Sequence, residues 1–441
     1  KQSGWHDQTR AIFANAEIGW KSMIYLTATG RNDWDSRLAF SDYKSFFYPS
    51  IGLSAILTSM FNAPDWLTYL KVRGSYTEVG NSYGRFMTTV TYPYDEQTQS
   101  WTSTSSYPNT KLKPERTKSW EVGLDARILN DISLNLTYYR SNTYNQTFYA
   151  DLSLSSGYSN IPIQSGNIMN EGLEMSLGYN KQWKDFSFNT NYTLTWNKNR
   201  VKRLADGVYN YATGQPIQMP ELSPLTYGHT DARLILRVGG SMGDVYGQRL
   251  LKRDLNGYIL NEEGVGLAME NKETYLGSIL PKMNMGWSLG FGYKGVNLGM
   301  TFTGRFGGIV ISETQSVLDA AGVSKVSADV RDAGGVQINQ SKVSAQTYYQ
   351  TIQGTAAYYT YSATNVRLGE LSLSYTLPKK WFDNKVGMTV GLVGKNLWMI
   401  YCKAPFDPEL TTSAASNFYQ GFDAYMLPST RNFGFNVKFQ F

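Results

Sequence analysis

The stretch STRNFGFNVKFQF, residues 429–441, sets Arg431, Phe433, Phe435, Val437, Phe439 and Phe441 in alternation with Asn432, Gly434, Asn436, Lys438 and Gln440. Alternation at period two marks a strand with one apolar face. An ordinary globular strand runs about five or six residues. A run more than twice that length suits a tilted strand crossing roughly 25 Å of hydrocarbon. The same pattern recurs upstream. Leu134, Leu136 and Tyr138 alternate with Ser133, Asn135 and Thr137, and Phe186, Phe188, Tyr192, Leu194 and Trp196 alternate with Ser187, Asn189, Asn191, Thr193 and Thr195. Trp287, Leu289, Phe291 and Tyr293 share a face, a Lys294-Gly295 turn follows, and Val296, Leu298, Met300 and Phe302 return along the next strand. That is a tight hairpin. Val386, Met388, Val390, Leu392 and Trp398, opposite Thr389 and Lys395, mark a further long strand.

The pattern predicts thirteen strands, at 10–18, 22–33, 45–57, 69–79, 117–129, 131–147, 168–180, 186–201, 283–294, 296–309, 364–377, 385–401 and 429–441. Short connections (around 19–21, 58–68, 130, 181–185, 294–295 and 378–384) alternate with long ones (34–44, 80–116, 148–167, 202–282, 310–363 and 402–428). Outer-membrane barrels have short periplasmic turns and long extracellular loops, so this sorting predicts an all-β, transmembrane antiparallel barrel with its C-terminus in the periplasm. Bacterial single-chain barrels have an even strand count. Thirteen therefore predicts further strands upstream, with residues 1–441 forming the C-terminal portion of a barrel.

Composition agrees. Aromatic residues make up 14% of the 441 residues, Gly numbers 41 and hydrophobic content is 41%, with a mean hydropathy of −0.36. No run approaches the 18 apolar residues of a membrane helix. Lys and Arg (41) are scattered among Asp and Glu (35), without the basic run that tracks a phosphate backbone, so nucleic acid is not an expected partner. Cys402 has no second cysteine for a disulfide or a metal site. The histidines, His6 and His229, lack metal-ligand spacing or the partners of a nucleophile, and no catalytic residues are expected.

Several segments resemble the SusC-like family of TonB-dependent outer-membrane transporters, in family order along nearly the whole chain. They are YLTATGRNDWDSRL (25–38), FYPSIGLS (47–54), LKVRGSYTEVGN (70–81), LKPERTKSWEVGLDARILND (112–131), GYSNIPIQSGNIMNEGLEMSLGY (157–179), NVRLGELSLSYTLP (365–378) and GKNLW…FDPE (394–409). The resemblance implies a 22-stranded barrel closed by a plug. It also implies a SusD-like surface lipoprotein as lid, drive from TonB with ExbB and ExbD through the plug, pairing of two such complexes, and contact with outer-membrane lipid and lipopolysaccharide. Its substrates would be oligosaccharides or oligopeptides imported across a Gram-negative outer membrane. The plug and first barrel strands are absent from these residues. A siderophore or cobalamin receptor, and a surface carbohydrate-binding adhesin without transport, are the alternative readings.

Candidate site residues lie in the long loops, where Trp101, Tyr107, Tyr158, Tyr209, Tyr211, Tyr348, Tyr349, Tyr358, Tyr359 and Tyr361 offer rings on which sugar C–H faces could stack. The competing role for each is an interfacial girdle or loop packing. Asn189, Asn191, Thr193, Lys395, Asn436, Lys438 and Gln440 are expected on the polar face of the strands, against water or a plug. Asp254, Asn256 and Tyr258, with Glu262 and Glu263 following, resemble the opening of a weak calcium loop, against which stands an Asn-Gly turn in a small hairpin. Phe441 looks like the terminal aromatic through which such barrels are recognised for insertion.

Overall fold

The computed structural model describes residues 4, 6–164, 166–204, 221–255, 257–258, 267–338, 341–383, 385–410, 412–413 and 417–441. Its main element is an antiparallel sheet of thirteen strands in simple sequential order. These are β1 (Thr9–Trp20), β2 (Ile24–Asp35), β3 (Phe46–Ile56), β4 (Leu67–Asn81), β5 (Glu115–Ile128), β6 (Ile132–Tyr144), β7 (Asn167–Trp183), β8 (Phe186–Arg203), β9 (Met283–Tyr293), β10 (Val296–Phe306), β11 (Asn365–Leu377), β12 (Gly387–Cys402) and β13 (Asn432–Gln440). Each of the thirteen predicted strands is present, with ends displaced by a few residues. The last strand starts at Asn432 rather than Ser429, so Arg431 and Phe441 lie just beyond its ladder.

Local backbone chemistry sets the turns. Lys294 (φ 45°) and Gly295 (φ 89°) both take the left-handed conformation, which the right-handed twist of the flanking strands demands of a two-residue hairpin loop. Tyr293 consequently pairs with Val296, and the register propagates through Phe291–Leu298, Leu289–Met300 and Trp287–Phe302. Lys21 and Ser22, and Leu129 and Asn130, adopt positive φ at the β1–β2 and β5–β6 turns. The connection from β3 to β4 contains a helical turn, Leu57–Met60, and that from β11 to β12 contains a 3-10 turn, Lys379–Phe382.

The two faces of the sheet differ in chemistry. On one, Leu373, Leu392 and Phe435 line up across β11, β12 and β13, and Leu392 and Phe435 are 64% and 81% exposed. An apolar band that large and that exposed suits hydrocarbon and not water. On the other face Lys395 lies 3.7 Å from Glu370. In the first unit exposed Val122 alternates along β5 with Glu121 and Asp125, from which Arg73 lies 3.9 and 3.6 Å while donating to Thr137 Oγ1 at 2.6 Å. Asn135 donates to Asp125. Glycine makes room for polar side chains. A Cβ on Gly290 would stand 2.5 Å from Asn189 Nδ2, and one on Gly292 would collide with Ser187 Oγ.

By packing density the chain divides into two compact units, Lys1–Gly178 with Thr195–Pro224 and Leu236–Ser241, and Tyr179–Leu194 with Leu225–Ile235 and Met242–Phe441. In the first unit Leu38, Phe46, Tyr83 and Leu112 form a small buried cluster at the strand ends. In the second, the three long connections build a core of their own from Tyr227, Leu234, Val245, Ile279, Ile311 and Phe422. Each such side chain contributes about 1.5–3 kcal/mol by leaving water.

If the exposed apolar face lies in lipid, Leu392→Arg should cost about 2–4 kcal/mol near the membrane midplane. Asn436→Lys on the opposite face should cost much less. Denaturant unfolding in lipid vesicles reads both, and equal losses would contradict a lipid-facing assignment.

Candidate functional site

The loop ends of the strands are tied by charge and hydrogen bonding. In the first unit Arg31 Nε donates to Asp33 Oδ1 at 2.7 Å, and Tyr48 OH donates to Asp33 Oδ2 at 2.8 Å. Arg37 Nη2 and Ser82 Oγ both donate to Asp35 Oδ2, at 2.6 and 2.7 Å. In the second unit Arg367 binds Asp407 through two guanidinium nitrogens, at 2.7 and 2.9 Å, with Glu409 at 3.4 Å. Fully buried Asn365 donates to Glu409 Oε1 at 3.0 Å. Register shifts on both sides of Arg367 break the ladder there, which is how a bulge re-aims a side chain. Burial alone would raise the Asp407 carboxyl, but Arg367 and the Glu409 amide hold it below the usual range.

Above these ties the loops pair with one another. Residues 82–114 and 145–166 join through Tyr107 N–H to Asn160 O at 2.7 Å, Asn109 Nδ2 to Pro162 O at 3.0 Å, and Gln164, whose side chain bridges Lys113 N–H (2.9 Å) and Lys113 O (2.6 Å). In the second unit Asp231 accepts from the amides of Ala356 (2.7 Å), Arg249 (2.7 Å) and Gln248 (3.1 Å). Buried Glu313 accepts from the His229 backbone at 3.4 Å and lies 2.9 Å from His229 Nδ1. A side chain on Gly228 (φ 52°) would collide with Glu313.

The sequence-derived aromatic candidates separate into different environments. Tyr107 and Tyr158 meet edge to face at 5.1 Å where the two paired loops touch. Trp101, 69% exposed, packs on Tyr94 at 5.1 Å, across the two-residue ladder of Tyr94–Asp95 with Ser100–Trp101. Tyr94 and neighbouring Tyr92 are exposed too. Neither was singled out from sequence, although both stand in the same loop. Tyr349 and Tyr359 are buried in a second loop core with Leu251, Leu267, Ile338, Val343 and Ile352, against which Tyr348, Tyr358 and Tyr361 pack. Burial pushes the Tyr361 phenol up to about 12 and the Tyr359 phenol higher still, with the Asp319 carboxylate adding to both. These five rings thus serve packing first, and among them Tyr349 also lines a cleft. Tyr209 and Tyr211 lie outside the described residues.

Of the calcium-like segment, Asn256, Glu262 and Glu263 lie outside the described residues. The rest forms a small hairpin, with Arg253 pairing Tyr258 and Asp254 pairing Gly257. Among the described residues, no group of three or more His, Cys, Asp or Glu side chains is placed to hold a metal ion. Phe441 is exposed beyond the last strand.

A long-stranded amphipathic sheet with an exposed apolar face, short hairpins at one end and a braced loop layer at the other defines a β-barrel membrane protein. Comparison supplies the family: residues 2–397 match the model described as "TonB dependent receptor-like, beta-barrel", and the chain belongs to that family. It is 25% identical over 468 residues to the TonB-dependent receptor P3 of Formosa agariphila, covering 97% of this chain and 45% of that protein. It is 27% identical over 154 residues to the TonB-dependent receptor SusC of Bacteroides thetaiotaomicron, covering 34% of this chain and 14% of that one. The solved structure of the RagAB peptide transporter superposes with a TM-score of 0.76 at 20% identity, covering 98% of this chain and 47% of its own. The chain spans about half the length of the curated relatives it matches across its whole extent. The family is one of TonB-dependent transporters of the Gram-negative outer membrane.

Removing Arg367 would leave Asp407 buried and uncompensated, at a cost of about 3–5 kcal/mol. Arg367→Ala should accordingly expose residues 403–431 to protease and hydrogen exchange, while the β9–β10 hairpin stays protected. Because the Asp407 carboxyl titrates lower folded than unfolded, its contribution is present above the unfolded value near 4 and lost as pH falls through the folded value. Protection of this loop should therefore decline below about pH 4, and Asp407→Asn should flatten the decline.

Proposed function

We propose that the protein to which this chain belongs imports nutrient oligomers, oligosaccharides or oligopeptides, across the outer membrane by TonB-dependent active transport. The observation that carries this reading is the family match over nearly the whole chain, supported by the likeness to SusC and by the RagAB fold. The long loops are extracellular and the C-terminus periplasmic, which follows from long outer loops and short inner turns. A SusD-like lipoprotein acts as lid on the loop layer, and TonB with ExbB and ExbD drives opening through a plug outside these residues. The amphipathic strands supply the wall. The polar face, with Arg73, Asp125 and Asn189, is suited to water or a plug, and the exposed Tyr94–Trp101 pair gives an incoming ligand an apolar surface on the outer side.

Cells expressing the full protein should take up labelled maltooligosaccharides or a labelled peptide digest, and lose that uptake when TonB is deleted. Uptake of neither, or uptake indifferent to TonB, would refute the reading. Replacing Trp101 or Tyr94 by Ala should reduce uptake about two- to tenfold, since an aromatic stacking contact is worth about 0.5–1.5 kcal/mol.

A further inference from the structure

Three short helices punctuate the connection between β10 and β11: α1 (Glu313–Ala320), α2 (Lys325–Asp332) and α3 (Ala345–Ile352). They surround a cleft of about 510 Å³ whose lining includes Asp319, Ser327, Arg331, Gln346, Tyr349 and Gln350. That volume is in the range of small-ligand sites.

Asp319 stands out electrostatically. It is 5% exposed and sits in the last turn of α1, which carries no basic residue. The partial negative charge of a helix C-terminus favours cations there, not a carboxylate. Gln315 Nε2 donates to it at 2.7 Å, and among the described residues no Lys or Arg closes on it. Arg331, on the wall of the same cleft, meets Asp332 at 3.7 Å with both side chains largely exposed, a loose pair that leaves guanidinium donors for an incoming anion, whereas Lys325 pairs with Asp329 at 2.5 Å. A buried carboxylate without a counter-ion is costly, and it becomes favourable once a cation with hydrogen-bond donors meets it. The phenols of Tyr349, Tyr359 and Tyr361 are raised by burial and by this same carboxylate, so its field reaches into the tyrosine cluster. An electron-rich ring near a carboxylate is the surrounding an ammonium group prefers.

We propose that this cleft binds a short zwitterionic peptide, whose ammonium terminus docks on Asp319 beside the Tyr349 ring while Arg331 receives its carboxylate. Gln346 and Gln350 present amides that match a peptide bond in both donor and acceptor. A neutral sugar can donate hydroxyls to Asp319 but brings it no positive charge, so the cleft favours the ammonium group over it. This deepens the import reading by naming a substrate class, and rests on it for the role of the site in uptake. Binding itself can be measured separately.

The test is isothermal titration of the full-length protein in detergent with tri-alanine, N-acetyl-tri-alanine, C-amidated tri-alanine and maltotriose. Tri-alanine should bind, acetylation should weaken it at least tenfold, and maltotriose should not bind at the cleft. Asp319→Asn should erase the discrimination against acetylation while thermal unfolding stays close to the parent's, a check that the fold is intact. Arg331→Gln should erase discrimination against the C-terminal amide alone, and Lys325→Gln should change neither. Absence of tri-alanine binding, indifference to acetylation, or an Asp319→Asn protein that binds like the parent would overturn the proposal. If tri-alanine binds as described but uptake ignores TonB, the import reading falls and the cleft stands. If uptake requires TonB but Asp319→Asn binds unchanged, the reverse holds.

Discussion

The constraint on which the structure depends is that backbone N–H and C=O groups find no partner in hydrocarbon. A sequential antiparallel ladder meets it: every inner strand from β2 to β12 has a hydrogen-bonded neighbour on both sides. The side chains are then free to specialise by face. Exposed Leu392 and Phe435 on one side, and Lys395 with Glu370 on the other, are two outcomes of one backbone solution. Period two in sequence and two environments in space are therefore a single fact.

The connections at the loop end of such a sheet need anchoring of their own, because the sheet has little core to offer them. The structure does this twice over. Buried or half-buried carboxylates fix the strand ends, as in Asp33 and Asp35 in one unit and Asp407 in the other, each held by an arginine or a hydroxyl. Above them, Tyr227, Ile279, Ile311 and Phe422 pack into a loop core, and Asp231 gathers three amides. A braced loop layer holds its side chains in place, which is what a binding surface requires. The segments that resemble the SusC-like family include several of these anchors. Arg367 of NVRLGELSLSYTLP and Asp407 of FDPE form one bidentate pair, and Tyr48 of FYPSIGLS meets Asp33 of GRNDWD. A physical reason for those motifs is thus strand-end bracing.

The strands were legible because each carries its own periodic signal and its own turn chemistry. Lys294-Gly295 specifies a primed turn from two residues alone, and the register of β9 on β10 follows from it. The candidate site was legible only in part. Loop aromatics could be enumerated, but whether a ring faces solvent or packs depends on segments far away in the chain. Tyr359 is covered by residues from 251 to 352, whereas Trp101 is covered by little beyond Tyr94. Asp319 carried no sequence signal, since its oddity is the lack of a cation at a helix end that had not been foreseen.

What the sequence by itself determined is therefore the strand number and order, the sorting of connections, and the exclusion of membrane helices, because these depend on interactions a few residues apart. What only the tertiary structure decided is which loop residues meet. Arg367 with Asp407, Asn109 with Pro162 and the helices around Asp319 are brought together by contacts spanning tens of residues. Their energies depend on burial and on competing partners, and a linear pattern encodes neither.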